Sequence, residues 1–399
     1  MSEQFQNPFR PGAGHPPPHL AGREEEKKNF LKFLEQDVIM ENMILTGLRG
    51  TGKTVLLDSF KPLAIADGWK WSGTDLSESA SISEDNIVKR LLADLSVVTS
   101  SITVGKEEFR RVGFVDNTES VELKLSYGTL LQAYEQTPGL VSDKLKFVLE
   151  LAWSFLKESG ARGLVFAYDE AQNLSDQALK EQFPLSILLE VFQSLQKKGC
   201  RLLLVLTGLL TLFPELVKAR TYSERMFHVI ELGRLSGEAS RDAILKPIED
   251  TNCPVRLTPE SVTTIVDLSG GYPYFIQFIC REVYDAFMQG SHSVPADEII
   301  RKLDSDFFAA RWARATDRQR ELLMLIASLD NCDEEFTVRD IVSLSSREDL
   351  GVKPFSSSHV SQMLSTLMRV GLVYRNRWGK YTLAVPLMEQ FIRRETGMN

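Results

Sequence analysis

Gly47-Leu48-Arg49-Gly50-Thr51-Gly52-Lys53-Thr54 is the stretch of this sequence that decides the fold. It matches the phosphate-binding pattern G-x-x-x-x-G-K-[ST] at every fixed position. The apolar run Met43 to Thr46 before it predicts a β-strand, and Val55-Leu56-Leu57 after it continue as a helix. Between a strand and a helix, the N–H groups of such a loop point at one spot and bind phosphate oxygens. The stretch therefore predicts a nucleoside triphosphate site.

Within this loop, two side chains have predicted roles of their own. Lys53 would reach the β- and γ-phosphates, and the Thr54 hydroxyl would bind Mg²⁺. The other loop residues and Val55 would surround the phosphates through their backbone.

Two later apolar runs end in polar residues that fit the same chemistry. Leu164 to Tyr168 is followed by Asp169 and Glu170. We expect Asp169 to hold Mg²⁺ through water, and Glu170 to orient and deprotonate the attacking water. Thr207 ends the next run, where it would contact the γ-phosphate or that water, or else cap the following helix. Further strands are predicted over 69–75 and 227–232.

Composition and charge limit the possible classes of protein. The chain has 399 residues, enough for two or three domains, and four widely spaced cysteines with no C-x-x-C pair. This spacing argues against a zinc site and a disulfide framework, and it suits the reducing cytoplasm. We read no signal peptide, and the apolar runs are too short to span a membrane. The net charge of −8 disfavours nucleic-acid binding over the whole surface.

The order of patterns along the chain predicts four parts. Residues 1–20 are an extended proline-rich arm, and 21–235 are an α/β core with a mostly helical insertion around 76–160. Residues 236–310 form an all-helical lid. Residues 311–399 contain three helices and a β-hairpin, the order of a winged helix-turn-helix.

The C-terminal module carries the candidate contacts with DNA, over residues 356–380. In such modules the third helix enters a major groove and the hairpin touches phosphates. The alternative is that the module packs against another protein. The candidates are Ser357, Ser358, His359, Ser361 and Gln362 on the helix, and Arg375, Arg377 and Lys380 on the hairpin.

The phosphate loop, the Asp169-Glu170 pair, Thr207 and the helical region that follows resemble an AAA+ ATPase. The likeness is to the archaeal-ATPase and origin-initiator-like branch, and it covers nearly the whole chain. It implies a P-loop NTPase fold with a parallel sheet, a helical lid and a C-terminal winged helix. It also implies ATP and Mg²⁺ as cofactors and an oligomer as the working form.

The same resemblance implies three further site residues. Asn7 to Gly12 and Leu20 to Glu24 resemble the opening segment that lies along the adenine, which places Arg23 at the nucleotide. Ser223 to Phe227 resemble the site of the arginine finger. This makes Arg225 the candidate to act across a subunit boundary, with Arg220 and Arg234 as competitors.

Gly270 to Gln277 resemble the sensor-2 helix that starts the lid, and Tyr272 there is a candidate nucleotide contact. Many AAA+ lids offer an arginine at this helix start. Here the place holds Tyr272-Pro273-Tyr274, and the nearest arginine is Arg281, about two turns on. Coupling between nucleotide and lid is therefore expected to be weaker, or to depend on aromatic packing.

These observations favour an ATP-driven oligomeric switch or remodeller that acts on DNA or loads a partner onto it. A different class is a signalling ATPase that gates a protein partner without touching DNA. A third is a nucleotide-binding scaffold with negligible hydrolysis, against which the Asp169-Glu170 pair argues.

Overall fold

The computed structural model describes residues 6–12, 14–110, 118–330, 332, 335–347, 352–377 and 379–398. The strands in chain order are β1 (Asn42–Gly47), β2 (Lys70–Ser72), β3 (Thr103–Arg110), β4 (Thr118–Lys124), β5 (Leu164–Tyr168), β6 (Leu202–Gly208), β7 (Phe227–Leu232), β8 (Val373–Arg377) and β9 (Lys380–Leu383).

The helices up to β7 are α1 (Glu24–Glu35), α2 (Lys53–Ala66), α3 (Glu84–Thr99), α4 (Tyr127–Gln136), α5 (Val141–Glu158), α6 (Pro184–Lys197), α7 (Leu212–Ala219) and α8 (Ser223–Met226). Those after it are α9 (Gly237–Asp250), α10 (Pro259–Ser269), α11 (Pro273–Met288), α12 (Ala296–Leu303), α13 (Ala309–Trp312), α14 (Asp317–Ala327), α15 (Val338–Ser345), α16 (Ser357–Arg369) and α17 (Met388–Thr396). A π-helical turn, Asp304–Phe308, joins α12 to α13.

Five strands of the described chain form one sheet in the order β2-β5-β6-β1-β7. The pairs β2–β5, β5–β6 and β1–β6 are parallel. Every residue of β1, β5 and β6 is buried, which explains their continuous apolar sequences. The predicted α/β class with a parallel-sheet core is confirmed. Because the strands are parallel, the carboxyl ends of β1, β5 and β6 meet at one edge of the sheet.

By its contacts the chain divides into two compact units. The sheet unit contains Glu24–Thr46 and Lys53–Glu231, and the helical unit contains Met1–Arg23, Gly47–Gly52 and Leu232–Asn399. The chain passes from the helical unit to the sheet unit between Gly52 and Lys53. The division into four parts that the sequence predicted remains a prediction. In the part of the chain that the structure describes, no helix is long and apolar enough to cross a membrane.

The predicted insertion contains an antiparallel hairpin that the sequence reading missed. Strands β3 and β4 pair from Thr103 opposite Lys124 to Arg110 opposite Thr118. A glycine and several acidic residues interrupt the apolar pattern of these strands, which weakens their signal in the sequence. Helices α3, α4 and α5 account for the helical character that was predicted there.

In the helical unit, the last elements follow the predicted order of three helices and a hairpin. Thr337 caps α15, because its side chain accepts a hydrogen bond from the Asp340 N–H. Ser356 caps α16 in the same way, through the His359 N–H. Strands β8 and β9 pair antiparallel, and Trp378 of the predicted turn lies outside the described residues.

The N-terminal segment of the helical unit packs on helix α11. The Asn7 side chain donates to the Arg281 carbonyl oxygen at 3.2 Å, and the Arg10 N–H donates to the Gln277 side chain at 3.3 Å. Phe9 between them is buried in the core of this unit. Residues 1–5 of the predicted arm lie outside the described residues.

In the sheet unit, a buried carboxylate joins α3 to the strands. Asp94 accepts two hydrogen bonds from the Arg90 guanidinium, and it accepts one from the Tyr168 hydroxyl at 3.0 Å. The Ser72 hydroxyl donates to the Asp94 carbonyl oxygen. Burial and then the charge of Asp94 raise the pKa of Tyr168 well above its ordinary value, so the phenol stays a donor. This network fixes Tyr168, the residue before Asp169.

Asp94→Ala should therefore lower the free energy of unfolding by about 3 kcal/mol, because it leaves a buried phenol and a guanidinium without their acceptor. The matched control is Asp85→Ala on the same helix, which removes an exposed pair with Lys89 and should cost about 0.5 kcal/mol or less. Urea titration followed by tryptophan fluorescence measures both. Equal losses in the two variants would contradict the prediction.

Candidate functional site

The phosphate loop has glycine at three positions where its backbone or its surroundings disfavour a side chain. Gly50 has a φ of +81°, in the left-handed region. At Gly47 a Cβ atom would lie 2.4 Å from the Leu232 carbonyl oxygen, far inside contact distance. Gly52, the second glycine of the motif, also has a left-handed backbone, with a φ of +87°. The path of the chain thus favours glycine at all three positions, and the motif itself requires Gly47 and Gly52.

Two residues distant in sequence brace this loop within the helical unit. The buried Arg23 guanidinium donates to the carbonyl oxygens of Thr51 and Gly233, each at 3.1 Å. The Tyr274 N–H donates to the Gly50 carbonyl oxygen at 3.1 Å. Arg23, predicted at the nucleotide, therefore contacts the backbone of the phosphate loop itself.

Tyr272 occupies the N-cap position of α11, as its predicted place at the helix start requires. Its ring is half-buried and packs edge-on against Phe275, with centroids 6.4 Å apart. The Arg234 guanidinium lies 5.7 Å from the centre of the same ring. A cation–π contact thus holds Tyr272 beside Arg234.

In the sheet unit, a buried carboxylate collects three hydrogen-bond donors. Asp169 is only 4% exposed and follows β5 directly. It accepts from the Thr54 hydroxyl at the start of α2, from the Thr207 hydroxyl of β6, and from the Glu170 N–H at 2.7 Å. The structure therefore brings together four of the predicted site residues.

Of the two roles predicted for Thr207, the structure favours the one within the site. The following helix, α7, begins at Leu212 with Thr211 at its N-cap position. The Thr207 hydroxyl instead donates to Asp169, and its side chain is fully buried.

Glu170 is exposed and has a left-handed backbone, with a φ of 51°. Such a conformation is strained for a residue other than glycine, and it is common at functional sites. The Gln172 side-chain nitrogen Nε2 donates to the Glu170 carboxylate, and its side-chain oxygen Oε1 accepts from the Leu209 N–H at 3.1 Å. Gln172 thus links Glu170 to the end of β6, a role that the sequence reading missed.

Two more carboxylates lie near Asp169, and the sequence analysis identified neither as a site residue. Burial and then the charge of Asp169 raise the pKa values of Asp58 and Asp75 above their ordinary range. Asp58 lies one turn after Thr54 on α2, and Asp75 pairs with Asp169 in a short parallel bridge. The position of Asp75 at the end of a predicted strand was the available signal. Together the acids create a negative potential that a cation would offset.

Among the three candidate finger arginines, Arg225 differs from the others by its surroundings. Arg220 lies 3.7 Å from the Glu190 carboxylate, and Arg234 packs on Tyr272. Arg225 is exposed on α8, and among the described residues no carboxylate lies within 4.0 Å of its guanidinium.

Comparisons with known proteins agree with this architecture. The Walker-type ATPase PABY2304 of Pyrococcus abyssi superimposes with a TM-score of 0.58 at 14% identity, over 94% of this chain and 96% of that one. The ADP form of the Aeropyrum pernix ORC2 protein gives a TM-score of 0.54 at 15% identity, over 97% and 96%. The chain has the fold of a Walker-type ATPase. This fold has the parallel sheet and the helical region after it that the sequence predicted.

A sequence family described as a domain of unknown function, DUF8462, matches residues 305–392. The match begins inside the π-helical turn and ends within α17. No curated protein sequence matches the chain.

Proposed function

We propose that this protein is a Mg²⁺-dependent ATPase that works as an ATP-driven oligomeric switch. The observation that carries the proposal is the meeting of Thr54, Thr207 and Glu170 at the buried carboxylate of Asp169. These residues follow a complete phosphate loop in the sequence. The fold supports the proposal, and the ORC2 structure of the same fold is an ADP form.

The donor set fits Mg²⁺. Within the described residues, no group of three or more His, Cys, Asp or Glu is placed to hold a metal ion. Mg²⁺ in nucleotide sites takes one or two protein oxygens and completes its shell with water and phosphate. Thr54 would supply a direct oxygen and Asp169 would act through water. The ion, when bound, would neutralise charge on the phosphates.

The protein residues then divide the work of hydrolysis. Lys53 holds the β- and γ-phosphates, and Thr207 keeps the Asp169 carboxylate oriented. Glu170 accepts a proton from water as the water oxygen bonds to the γ-phosphorus. The bond to the leaving oxygen breaks, which releases ADP and phosphate. Gln172 fixes the direction of the Glu170 carboxylate during this step.

Glu170→Gln should lower the rate of ATP hydrolysis by about 10²- to 10⁴-fold, because the amide cannot accept the proton. ATP affinity should change little. Glu181→Gln is the matched control, since Glu181 is also exposed and has a similar φ of 53°. A steady-state phosphate-release assay beside equilibrium ATP binding separates the two effects. Unchanged turnover in Glu170→Gln would exclude Glu170 as the base.

We assign the arginine finger to Arg225, acting on ATP held by a neighbouring subunit. An exposed guanidinium without a carboxylate partner can reach ATP bound to another subunit and stabilise the negative charge of the transferring phosphoryl group. Its loss should slow hydrolysis by about 10³- to 10⁵-fold.

Mixing subunits tests this assignment. Arg225→Ala subunits keep Glu170, and Glu170→Gln subunits keep Arg225, so mixed oligomers contain some interfaces with both groups intact. We expect activity in the mixture that neither variant shows alone. Arg220→Ala is the control, because Arg220 is paired with Glu190 and its loss should leave hydrolysis active without any mixing. Absence of recovery in oligomers of verified mixed composition would count against Arg225.

For the output of the switch we propose DNA contact through the C-terminal module. Arg375 is exposed on β8, and Lys380 begins β9 of the same hairpin. Residues 307–399 carry 13 Lys/Arg against 11 Asp/Glu in a chain of net charge −8, so positive charge is relatively concentrated there.

A protein partner is the alternative, and one observation favours it. The exposed start of α16 is uncharged, with Ser357, Ser358, His359, Ser361 and Gln362 at its surface. Such a face can hydrogen-bond to base edges or to a protein, and it adds little attraction for phosphate.

The double substitution Arg375→Glu and Lys380→Glu should abolish DNA binding and reduce its salt dependence, because each lost phosphate contact lowers the slope of log K against log salt by about 0.9. Arg241→Glu with Arg301→Glu is the control. Both are exposed arginines outside the module, and the change in net charge is the same. Fluorescence anisotropy at several salt concentrations measures the affinities. No salt-sensitive binding by the native protein, with ATP or ADP, would favour the protein partner.

A further inference from the structure

A cluster of arginines lies next to the phosphate loop within the helical unit. Arg311 is on α13, immediately after the π-helical turn, and Arg49 is in the loop itself. Burial and then the positive charge of Arg49 lower the pKa of Arg311, Tyr274 acts in the opposite direction, and Arg314 adds a smaller lowering effect. An arginine stays charged in proteins, so these like charges repel one another.

A continuous series of contacts fixes Arg311 relative to the loop. Its guanidinium lies 4.1 Å above the centre of the Phe307 ring and donates to the Phe307 carbonyl oxygen. The Phe307 and Tyr274 rings pack with centroids 5.4 Å apart. The Tyr274 N–H in turn donates to the Gly50 carbonyl oxygen at 3.1 Å. Arg311 is therefore held by packing and does not simply extend into solvent.

The positive charges of this cluster are not neutralised by ion pairs. Among the described residues, no carboxylate lies within 4.0 Å of Arg49, Arg311 or Arg314. Other arginines of the same unit do have such partners, for example Arg394 with Asp304. A solvated surface explains Arg49 and Arg314, which are exposed, but it does not explain why Arg311 is half-buried and stacked beside them. An anion between Arg49 and Arg311 would remove their repulsion.

We propose that Arg311, together with Arg49, binds the terminal phosphate of ATP on the loop and so replaces the arginine that is missing at the start of α11. The inference rests on the proposed binding of ATP. It differs from the expectation made from the sequence, which was weaker coupling or coupling through aromatic packing, with Arg281 only the nearest arginine. Arg281 instead pairs with Glu282 and stacks on Phe278.

This assignment also gives the γ-phosphate a route to the C-terminal module. Phe308 of the π-helical turn stacks on Phe391 of α17, with centroids 5.3 Å apart. In the same turn, Asp304 accepts two hydrogen bonds from Arg394 at 3.0 and 2.6 Å. Movement of Arg311 on loss of the γ-phosphate would act on a helix that is fixed at its other side to α17. π-Helical turns often occur at functional positions of this kind.

The test compares two nucleotides in the full-length protein. Affinities for ADP and for the β,γ-methylene analogue of ATP, both with Mg²⁺, are measured by calorimetry. In Arg311→Gln, binding of the analogue should weaken about tenfold, the loss of one charged contact worth about 1.4 kcal/mol, while ADP affinity changes less than about twofold. Arg301→Gln is the control, an exposed arginine upstream on the same continuous helix, and it should change neither affinity.

Arg49→Ala is a second variant on an exposed position, and it tests the cluster if Arg311→Gln fails to fold. It should also reduce the preference for the analogue over ADP. The inference is overturned if the ratio of the two affinities stays at the wild-type value in the folded variants, whether both affinities are unchanged or both fall equally. Failure of the proposed function appears differently, because wild-type protein would then bind neither nucleotide and Lys53→Ala would change nothing.

Discussion

The carboxylate of Asp169 is the constraint on which the sheet unit depends. A buried carboxylate is costly unless hydrogen bonds replace the water it loses. Here the donors come from α2, from β6 and from the adjacent backbone. They can meet only because β6 lies between β1 and β5 in a parallel sheet, which brings three strand ends to one edge. The hydrogen bonds of Asp169 therefore require this strand order. The hydrogen bonds of Asp94 to Tyr168 and Ser72 in turn hold β5 in its place.

The phosphate loop depends on a second set of contacts, made to its carbonyl oxygens. Arg23 donates to Thr51, Tyr274 donates to Gly50, and the Thr51 hydroxyl donates to Leu48. These three contacts fix the peptide planes through their acceptor side. The N–H groups of such a loop are the part that binds an anion. Residues distant in sequence thus fix the conformation of the loop, while its backbone N–H groups stay available to bind phosphate.

The success of prediction from the sequence depended on how local each signal was. Strands β5 and β7 were predicted at their observed bounds because the residue pattern of a strand and its ends are local signals. Asp58, Gln172 and Arg311 were missed because their importance comes from neighbours that are remote in sequence. Hairpin β3–β4 was missed for another reason, since its strands lack a clear apolar alternation.

The aromatic side chains around the π-helical turn show how the lack of an arginine at the start of α11 is compatible with the proposed switch. Tyr274 at the start of α11 touches the loop through its backbone and Phe307 through its ring. Phe307 packs against Phe308, with centroids 5.0 Å apart, and Phe308 stacks on Phe391. Closely packed rings change position in discrete steps because the interior leaves little free volume. Under the proposed contact of Arg311 with the γ-phosphate, a small displacement at the loop would be passed to α17 as a repacking of these rings, because Arg311 is stacked on Phe307.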